Sequence, residues 1–115
     1  MGTFQRGRHS QAFILISLTD GPSYGLDLKN RIANLTGNSE IDLSFLYRTL
    51  NKLERDGYLT SYLDDTSQGP ARKYYKLTKS GYTLLDEFEV DIRDRVKNLQ
   101  SFLTKYEELK QDEDN

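Results

Sequence analysis

Three segments of the first half of the chain favour helices. Residues 11–18 form an apolar, helix-compatible run, and residues 24–36 and 43–56 carry apolar residues at helical spacing. A glycine-containing turn follows each segment, and glycine permits the left-handed conformation that often ends a helix. Ser23 and Asp42 precede the second and third segments, where their side chains can act as N-caps. The pattern therefore predicts three short helices.

Each of the later two helices is predicted to bury one narrow face. In the second, this face consists of Leu28, Ile32 and Leu35 at i, i+4 and i+7. In the third, four leucines at i, i+3, i+7 and i+10 share one side, namely Leu43, Leu46, Leu50 and Leu53.

The periodicity changes after Gly57. From Tyr58 to Leu63, tyrosine and threonine alternate with leucine and serine, which is typical of a strand, and Arg72 to Leu77 has the same character. The eight residues between them, 64–71, include Gly69-Pro70 and favour a loop. We therefore predict a long β-hairpin.

A long helix is predicted to begin after Thr78 and to reach about Leu109. Its apolar residues are spaced by three and four and form a stripe with a heptad rhythm: Leu85, Phe88, Ile92, Val96, Leu99, Leu103 and Tyr106. A helix of about 28 residues is roughly 42 Å long, more than a small domain can cover. We expect the distal half to pack against a second copy of the chain, so the stripe is a predicted homodimer interface.

This order of elements predicts a mainly α fold with a small β-hairpin (α+β), a winged helix-turn-helix followed by a long C-terminal dimerisation helix. The predicted parts are a flexible basic arm (1–9), a winged-helix DNA-binding domain (10–80), the dimerisation helix (81–110) and an acidic, disordered tail (111–115).

The charge is unevenly distributed. Residues 1–81 carry 11 Lys/Arg and 8 Asp/Glu, a net +3, whereas residues 82–115 carry 5 and 10, a net −5. The first part can thus supply a basic face for nucleic acid, although both charged regions can also be read as ordinary solvated surface.

In a winged helix the third helix enters the DNA major groove. Its positions that interleave with the leucines are the predicted contacts: Ser44, Phe45, Arg48, Thr49, Lys52 and Arg55. Arg48 can donate two hydrogen bonds to guanine, whereas Lys52 suits a phosphate. An ordinary polar helix face is the alternative interpretation.

The wing is the second predicted contact region. Two aspartates at the start of the loop would repel phosphate, so Gln68, Arg72 and Lys73 on its other side are the predicted contacts. Tyr24 can donate a hydrogen bond to a phosphate at the start of the second helix, or it can be a half-buried core tyrosine.

Three runs of the sequence resemble the PadR-like family of regulators. Residues 13–28, FILISLTDGPSYGLDL, resemble the opening of these proteins. Residues 46–59, LYRTLNKLERDGYL, resemble their recognition-helix signature, and residues 69–81, GPARKYYKLTKSG, are similar to their wing-strand signature. The three runs in this order cover most of residues 12–81.

The resemblance implies a winged-helix homodimer, held by its C-terminal helix, that binds a pseudo-palindromic operator, usually as a repressor. It also implies that Tyr47 lies close to DNA and that Arg72 and Lys73 serve the wing. Arg48 departs from the proline common in the family, and Leu26 departs from a frequent tyrosine. Some small members bind flat aromatic drugs through a tryptophan, which this chain lacks.

Other functions remain open on the sequence. A winged-helix dimer can also act as a replication terminator or an architectural DNA-binding protein, and a winged helix can present its surface to a protein partner. An enzyme is disfavoured, because the chain has no cysteine, one histidine and no phosphate-cradling glycine loop. We expect no metal site and no cofactor.

The longest apolar stretch, Ala12 to Leu18, is too short to span a bilayer. It also lacks a signal-peptide cleavage pattern. Together with the absence of cysteine, this predicts a cytoplasmic protein.

Overall fold

The computed structural model describes residues 9–38, 40–65 and 69–114. For Asp114 it describes the backbone and not the side chain. Most of the predicted basic arm and the predicted wing contact Gln68 lie outside these residues. The described elements are α1 (Ser10–Ser17), a short 3-10 helix (Leu18–Asp20), α2 (Gly25–Thr36), α3 (Leu43–Arg55), β1 (Leu59–Asp64), β2 (Arg72–Leu77) and α4 (Lys79–Asp114). The predicted winged-helix fold with a long C-terminal helix is confirmed.

The chain forms two compact units, Met1–Leu85 and Asp86–Asn115, and α4 contributes residues to both. The first unit contains the three short helices, the hairpin and the first turns of α4. The second consists of the remaining turns of α4.

The core of the first unit is made by the predicted apolar faces. Leu28 and Ile32 of α2 and Leu46 and Leu50 of α3 are fully buried. Burial of a side chain of this size stabilises the fold by about 1.5–3 kcal/mol. Leu35 was expected in the same stripe but is 55% exposed, so the buried face of α2 ends one turn earlier than predicted.

The turn between α1 and α2 is fixed by Arg31. Its Nη1 donates hydrogen bonds to the carbonyl oxygens of Ser17 (3.1 Å) and Gly21 (2.8 Å), and its Nε lies 3.1 Å from a carboxylate oxygen of Asp27. Carbonyl groups that the helix leaves without an internal partner are thereby satisfied. These contacts of Arg31 fix the distance between α1 and α2.

Ser23 does not cap α2 as predicted, because its backbone is committed to the sheet. Its N–H donates to the Tyr75 carbonyl (3.1 Å), and its carbonyl accepts from the Tyr75 N–H (2.8 Å). The Ser23 hydroxyl donates to Asp27 (2.7 Å). Tyr24 is the N-cap residue of α2, without a side-chain cap. The residues before α2 therefore tie that helix to β2.

The caps of α3 and α4 agree with the prediction. Asp42 Oδ1 accepts from the N–H of Ser44 at 2.9 Å. Thr78 Oγ1 accepts from the N–H of Gly81 at 3.1 Å and donates to the Gly57 carbonyl at 2.7 Å. A Cβ at Gly81 would overlap the Tyr58 carbonyl oxygen, so only glycine permits this approach of α4 to the turn between α3 and β1.

The hairpin pairs β1 and β2 antiparallel, with a register that runs from Leu59 opposite Leu77 to Asp64 opposite Arg72. Leu59, Tyr75 and Leu77 are buried. The side chains between them on the two strands are more exposed. One face of the hairpin therefore packs on the core, while the other is available for contacts.

α4 begins directly after Thr78, as predicted, but it is longer than predicted at its C-terminal end. It runs from Lys79 to Asp114, so residues 111–114 are helical where a disordered tail was expected. Ion pairs at i, i+3 support this end, with Lys110 Nζ 3.1 Å from Glu113 and Lys105 Nζ 3.8 Å from Glu108. Among the described helices, none is long and apolar enough to cross a membrane.

Candidate nucleic-acid interface

The outward face of α3 is polar and basic. Ser44, Arg48, Asn51 and Arg55 follow one another at steps of four, three and four, on the side opposite the buried leucines, and all four are exposed. Lys52 is also exposed, at the border of this face. A helix with such a face can enter a major groove and place its cations and hydrogen-bonding groups against phosphates and base edges.

The structure corrects two of the predicted positions on α3. Thr49 is 7% exposed, and its hydroxyl donates to the Phe45 carbonyl at 2.8 Å. It lies three residues after Leu46 and four before Leu53, so helix geometry puts it on their side. Phe45 is half-buried. Sequence reasoning missed Asn51, although the same geometry places it on the outward face.

A shallow groove borders this face. It has a volume of about 270 Å³ and is lined by the start of α1 and one side of α3: Ser10, Gln11, Phe45, Arg48, Thr49 and Lys52. Within the described part of the chain, the charged groups of Arg48 and Lys52 have no acidic partner. Their charge is therefore available to an external anion.

Tyr47 lies where α3 meets the start of α2. Its side chain is partly exposed, and its ring is packed on Gly25 so closely that a Cβ there would overlap the ring and its hydroxyl. Glycine at position 25 thus sets the position of Tyr47. The tyrosine that the resemblance placed near DNA is held by the start of the neighbouring helix.

Arg72 is held by aromatic rings at the start of β2. Its guanidinium carbon lies 4.4 Å from the centroid of the Tyr24 ring, a cation–π contact. Tyr24 also meets Tyr74 edge-on at 5.3 Å, and Tyr74 stacks on Tyr62 at 5.6 Å. Two predicted contact residues, Tyr24 and Arg72, are therefore brought together, and Tyr24 is half-buried.

Lys73 is engaged by α3. Its Nζ lies 3.2 Å from Oε1 of Glu54, and the Ser61 hydroxyl donates a hydrogen bond to the other carboxylate oxygen, Oε2. The Ser61 hydroxyl, and then Lys73, lower the pKa of Glu54, and the hydrogen bond to Glu54 raises the pKa of Lys73. This network braces β1 and β2 against the end of α3.

The same network continues to the outward face of α3. The Lys73 ammonium lies 5.3 Å from the centroid of the Tyr75 ring, and the Tyr75 hydroxyl donates a long hydrogen bond of 3.4 Å to Asn51 Oδ1. Burial raises the pKa of Tyr75, so its hydroxyl keeps its proton at neutral pH.

A second candidate surface follows the predicted stripe of α4. Leu85, Phe88 and Ile92 are half-buried, whereas the later members are exposed, including Leu99 at 66%. Phe102 and Leu109, which lie beside the stripe, are exposed as well, and Phe102 stacks on Tyr106 at 6.3 Å. Exposed apolar residues that follow one face of a helix make the stripe a candidate interaction surface.

The comparisons with solved structures agree with this architecture. A PadR family transcription regulator of Clostridium difficile is 26% identical, with a TM-score of 0.71 over 83% of this chain and 98% of that chain. A PadR-like transcription factor of Bacteroides fragilis is 27% identical, with a TM-score of 0.67 over 81% and 88% of the two chains. Both likenesses cover nearly the whole of the solved chain.

Sequence comparisons point to the same family. An uncharacterised protein of Lysinibacillus sphaericus is 34% identical over 80 residues, 69% of this chain and 73% of that protein. The sequence model of the Transcriptional regulator PadR-like family matches residues 14–87, which include the whole of α2, α3 and the hairpin. The chain therefore belongs to the PadR-like family of DNA-binding transcriptional regulators.

Proposed function

We propose that the chain is a homodimeric repressor that binds a pseudo-palindromic operator, with α3 in the major groove and the wing on the backbone or in the minor groove. The observation that carries the proposal is the outward face of α3, where Arg48, Lys52 and Arg55 are exposed on the side away from the buried leucines. Such a face suits duplex DNA because it offers both charge and donors to base edges.

The roles of individual residues differ in this proposal. Arg48 reads a guanine, because a guanidinium can donate two hydrogen bonds to O6 and N7. Lys52 and Ser44 contact phosphates, and Arg72 contacts the backbone beside the wing. Thr49 is left out because it is buried. Lys73 acts by bracing the wing, because its ammonium is paired with Glu54.

Homodimerisation is proposed through the exposed stripe of α4. A two-fold symmetric pair places the same apolar residues of both copies against each other, and the heptad spacing suits helices packed side by side. Two recognition helices in one dimer would require two half-sites, which is why the operator is expected to be an inverted repeat.

The direct test is a titration of the purified protein against short genomic duplexes, including its own upstream region, at two salt concentrations. The expected result is tight binding to one inverted repeat that weakens steeply with salt, because each neutralised phosphate contributes about −0.9 to the slope of log K against log salt. Weak binding that does not depend on salt would contradict the proposal and would favour a protein partner.

Two matched variants of α3 sharpen this test. Arg48→Ala should cost about 1–3 kcal/mol at a single base pair and leave other positions unchanged. Lys52→Ala should weaken binding to all sequences alike and reduce the salt slope by about 1. If Arg48→Ala also acts uniformly, Arg48 is a phosphate contact.

A further inference from the structure

We propose that Asn51 is a specificity-determining residue that reads an adenine, and that the buried Tyr75 hydroxyl positions its amide. The proposal rests on the DNA-binding function given above and adds one base contact to the same site. Asn51 lies on the outward face of α3, three residues after Arg48 and four before Arg55, and its side chain is exposed. It therefore lies midway along the length of the face that would enter the groove, on the side of α3 that contacts β2.

The chemistry of the amide suits adenine. In the major groove adenine presents N7, an acceptor, and the N6 amino group, a donor, and an asparagine amide can satisfy both at once. In this pairing the Nδ2 group of Asn51 donates to N7, and its Oδ1 accepts from the N6 amino group. Oδ1 has two lone pairs, so it can accept from adenine while it also accepts from the Tyr75 hydroxyl.

The direction of the hydrogen bond decides which way the amide points. The Lys73 ammonium, which can only donate, lies 5.3 Å from the centroid of the Tyr75 ring. The Tyr75 hydroxyl donates to Asn51 Oδ1, 3.4 Å away. The Nδ2 group is left free for the base.

The supporting side chains are themselves held in place. Tyr75 is 2% exposed, and Glu54 holds Lys73 at 3.2 Å. The contacts thus run from Glu54 of α3 to Lys73 and Tyr75 of β2, and from there to Asn51 of α3. A side chain held in its binding orientation before binding loses less conformational freedom on contact, so Tyr75 is a positioning residue for Asn51.

The experiment begins with selection of the preferred duplex from a randomised library by the wild-type protein. Affinities are then measured for every single base-pair substitution of that duplex with the wild type, Asn51→Ala, Tyr75→Phe and the double variant. Asn51→Ala should lose about 5- to 100-fold of discrimination at one A·T pair in each half-site. Tyr75→Phe keeps the buried ring and should lose about 2- to 10-fold at the same pair, with no added loss in the double variant.

Tyr74→Phe is the matched control on the same strand. The Tyr74 hydroxyl makes no hydrogen bond within the described part of the chain, so discrimination at that A·T pair should be unchanged. Equal weakening at all sequences by Asn51→Ala would overturn the adenine contact. A loss in Tyr75→Phe that adds fully to that of Asn51→Ala, or an equal loss in Tyr74→Phe, would overturn the positioning role. If the wild type selects no sequence at all, the proposed function fails and takes this inference with it.

Discussion

Most leucines of α3, in the winged-helix unit, are buried, whereas the leucines in the distal part of α4 are exposed. Leu46 and Leu50 of α3 are 0% exposed, whereas Leu99 and Leu103 of α4 are 66% and 49% exposed. Both pairs have the same kind of helical spacing. The difference therefore comes from what surrounds the helix and not from the pattern within it.

This contrast shows where each region obtains its stability. In the first unit, α1, α2, α3 and the hairpin bury one another's apolar faces, and polar links such as Arg31 and Lys73 close the turns. In the distal part of α4, the described contacts are local, and ion pairs at i, i+4 contribute only about 0.2–0.5 kcal/mol each. We therefore expect the first region to be stable by itself and the second to gain stability from a partner copy.

The largest expected effect is on self-association. Glutamate at Ile92, Leu99 and Leu103 should convert a dimer into monomers and raise the dissociation constant at least about 1000-fold, because three charges would enter an apolar interface. Sedimentation equilibrium measures this directly. Operator binding should weaken in parallel.

The matched control places three glutamates at Val90, Ser101 and Thr104. These positions are exposed and lie on the side of α4 opposite the stripe, so the added charge is the same. This variant should remain dimeric. A stripe variant that stays dimeric, or a control that dissociates equally, would show that the stripe is not the interface.

The second prediction compares one leucine from each region. Leu50→Ala should lower the free energy of unfolding by about 2–5 kcal/mol at any protein concentration, because it opens a cavity in a packed core. Leu99→Ala should cost stability only where the dimer is populated, because binding adds to stability by mass action. Urea unfolding at two concentrations 100-fold apart distinguishes the two cases. If Leu99→Ala lowers the free energy of unfolding equally at both concentrations, the distal part of α4 does not gain its stability from a partner copy.

The sequence predicts well what depends on near neighbours along the chain. The Asp42 and Thr78 caps and the order of the elements follow from local signals, and the structure has them. Thr49 could also have been placed correctly, because its spacing from Leu46 and Leu53 puts it on the buried side. The error came from grouping polar residues by type and not by angle.

Contacts between distant segments could not be read in this way. The Ser23–Tyr75 bridge and the Glu54–Lys73 pair join residues far apart in the chain, and both depend on how the hairpin packs against the helices. Asn51 gave no signal of its own, because a single asparagine on a polar helix face is common. Its contact with Tyr75 is what distinguishes it.

The third prediction adds one methyl group to each region. Gly25→Ala places a Cβ into the Tyr47 ring, and overpacking of this kind costs about 1–3 kcal/mol. Combination with Tyr47→Ala should remove most of that cost, which a double-mutant cycle measures. Ser101→Thr in α4 adds a methyl group at an exposed position and should change stability by less than about 0.5 kcal/mol. A Gly25→Ala cost that persists without the Tyr47 ring would show that the backbone, and not the ring, requires glycine.

The smallest expected effect is on the brace between Glu54 and Lys73. The lowered pKa of Glu54, caused by the Ser61 hydroxyl and then by Lys73, means that its contribution is present above the ordinary value of 4.5 and is lost as the pH falls through the lower folded value. The pKa of Lys73 is raised, so its contribution is complete below 10.5 and is lost only as the pH rises through the higher folded value. Between these limits the contribution of the pair should not change with pH.

Glu54→Gln tests this brace in the winged-helix unit, and Glu108→Gln makes the matching change in α4. The two side chains are 31% and 45% exposed, and solvent screening limits the expected loss at pH 7 to less than about 1 kcal/mol. The difference from the wild type should shrink as the pH falls from 4.5 through the lower pKa of folded Glu54, because the wild-type carboxylate is then neutralised as well. Glu108→Gln removes an exposed i, i+3 pair of α4 and should have almost no effect at either pH. An equal loss in both variants would mean that the pair at the wing is no better supported than an isolated surface pair, and the path from Glu54 to Asn51 would then lose its anchor.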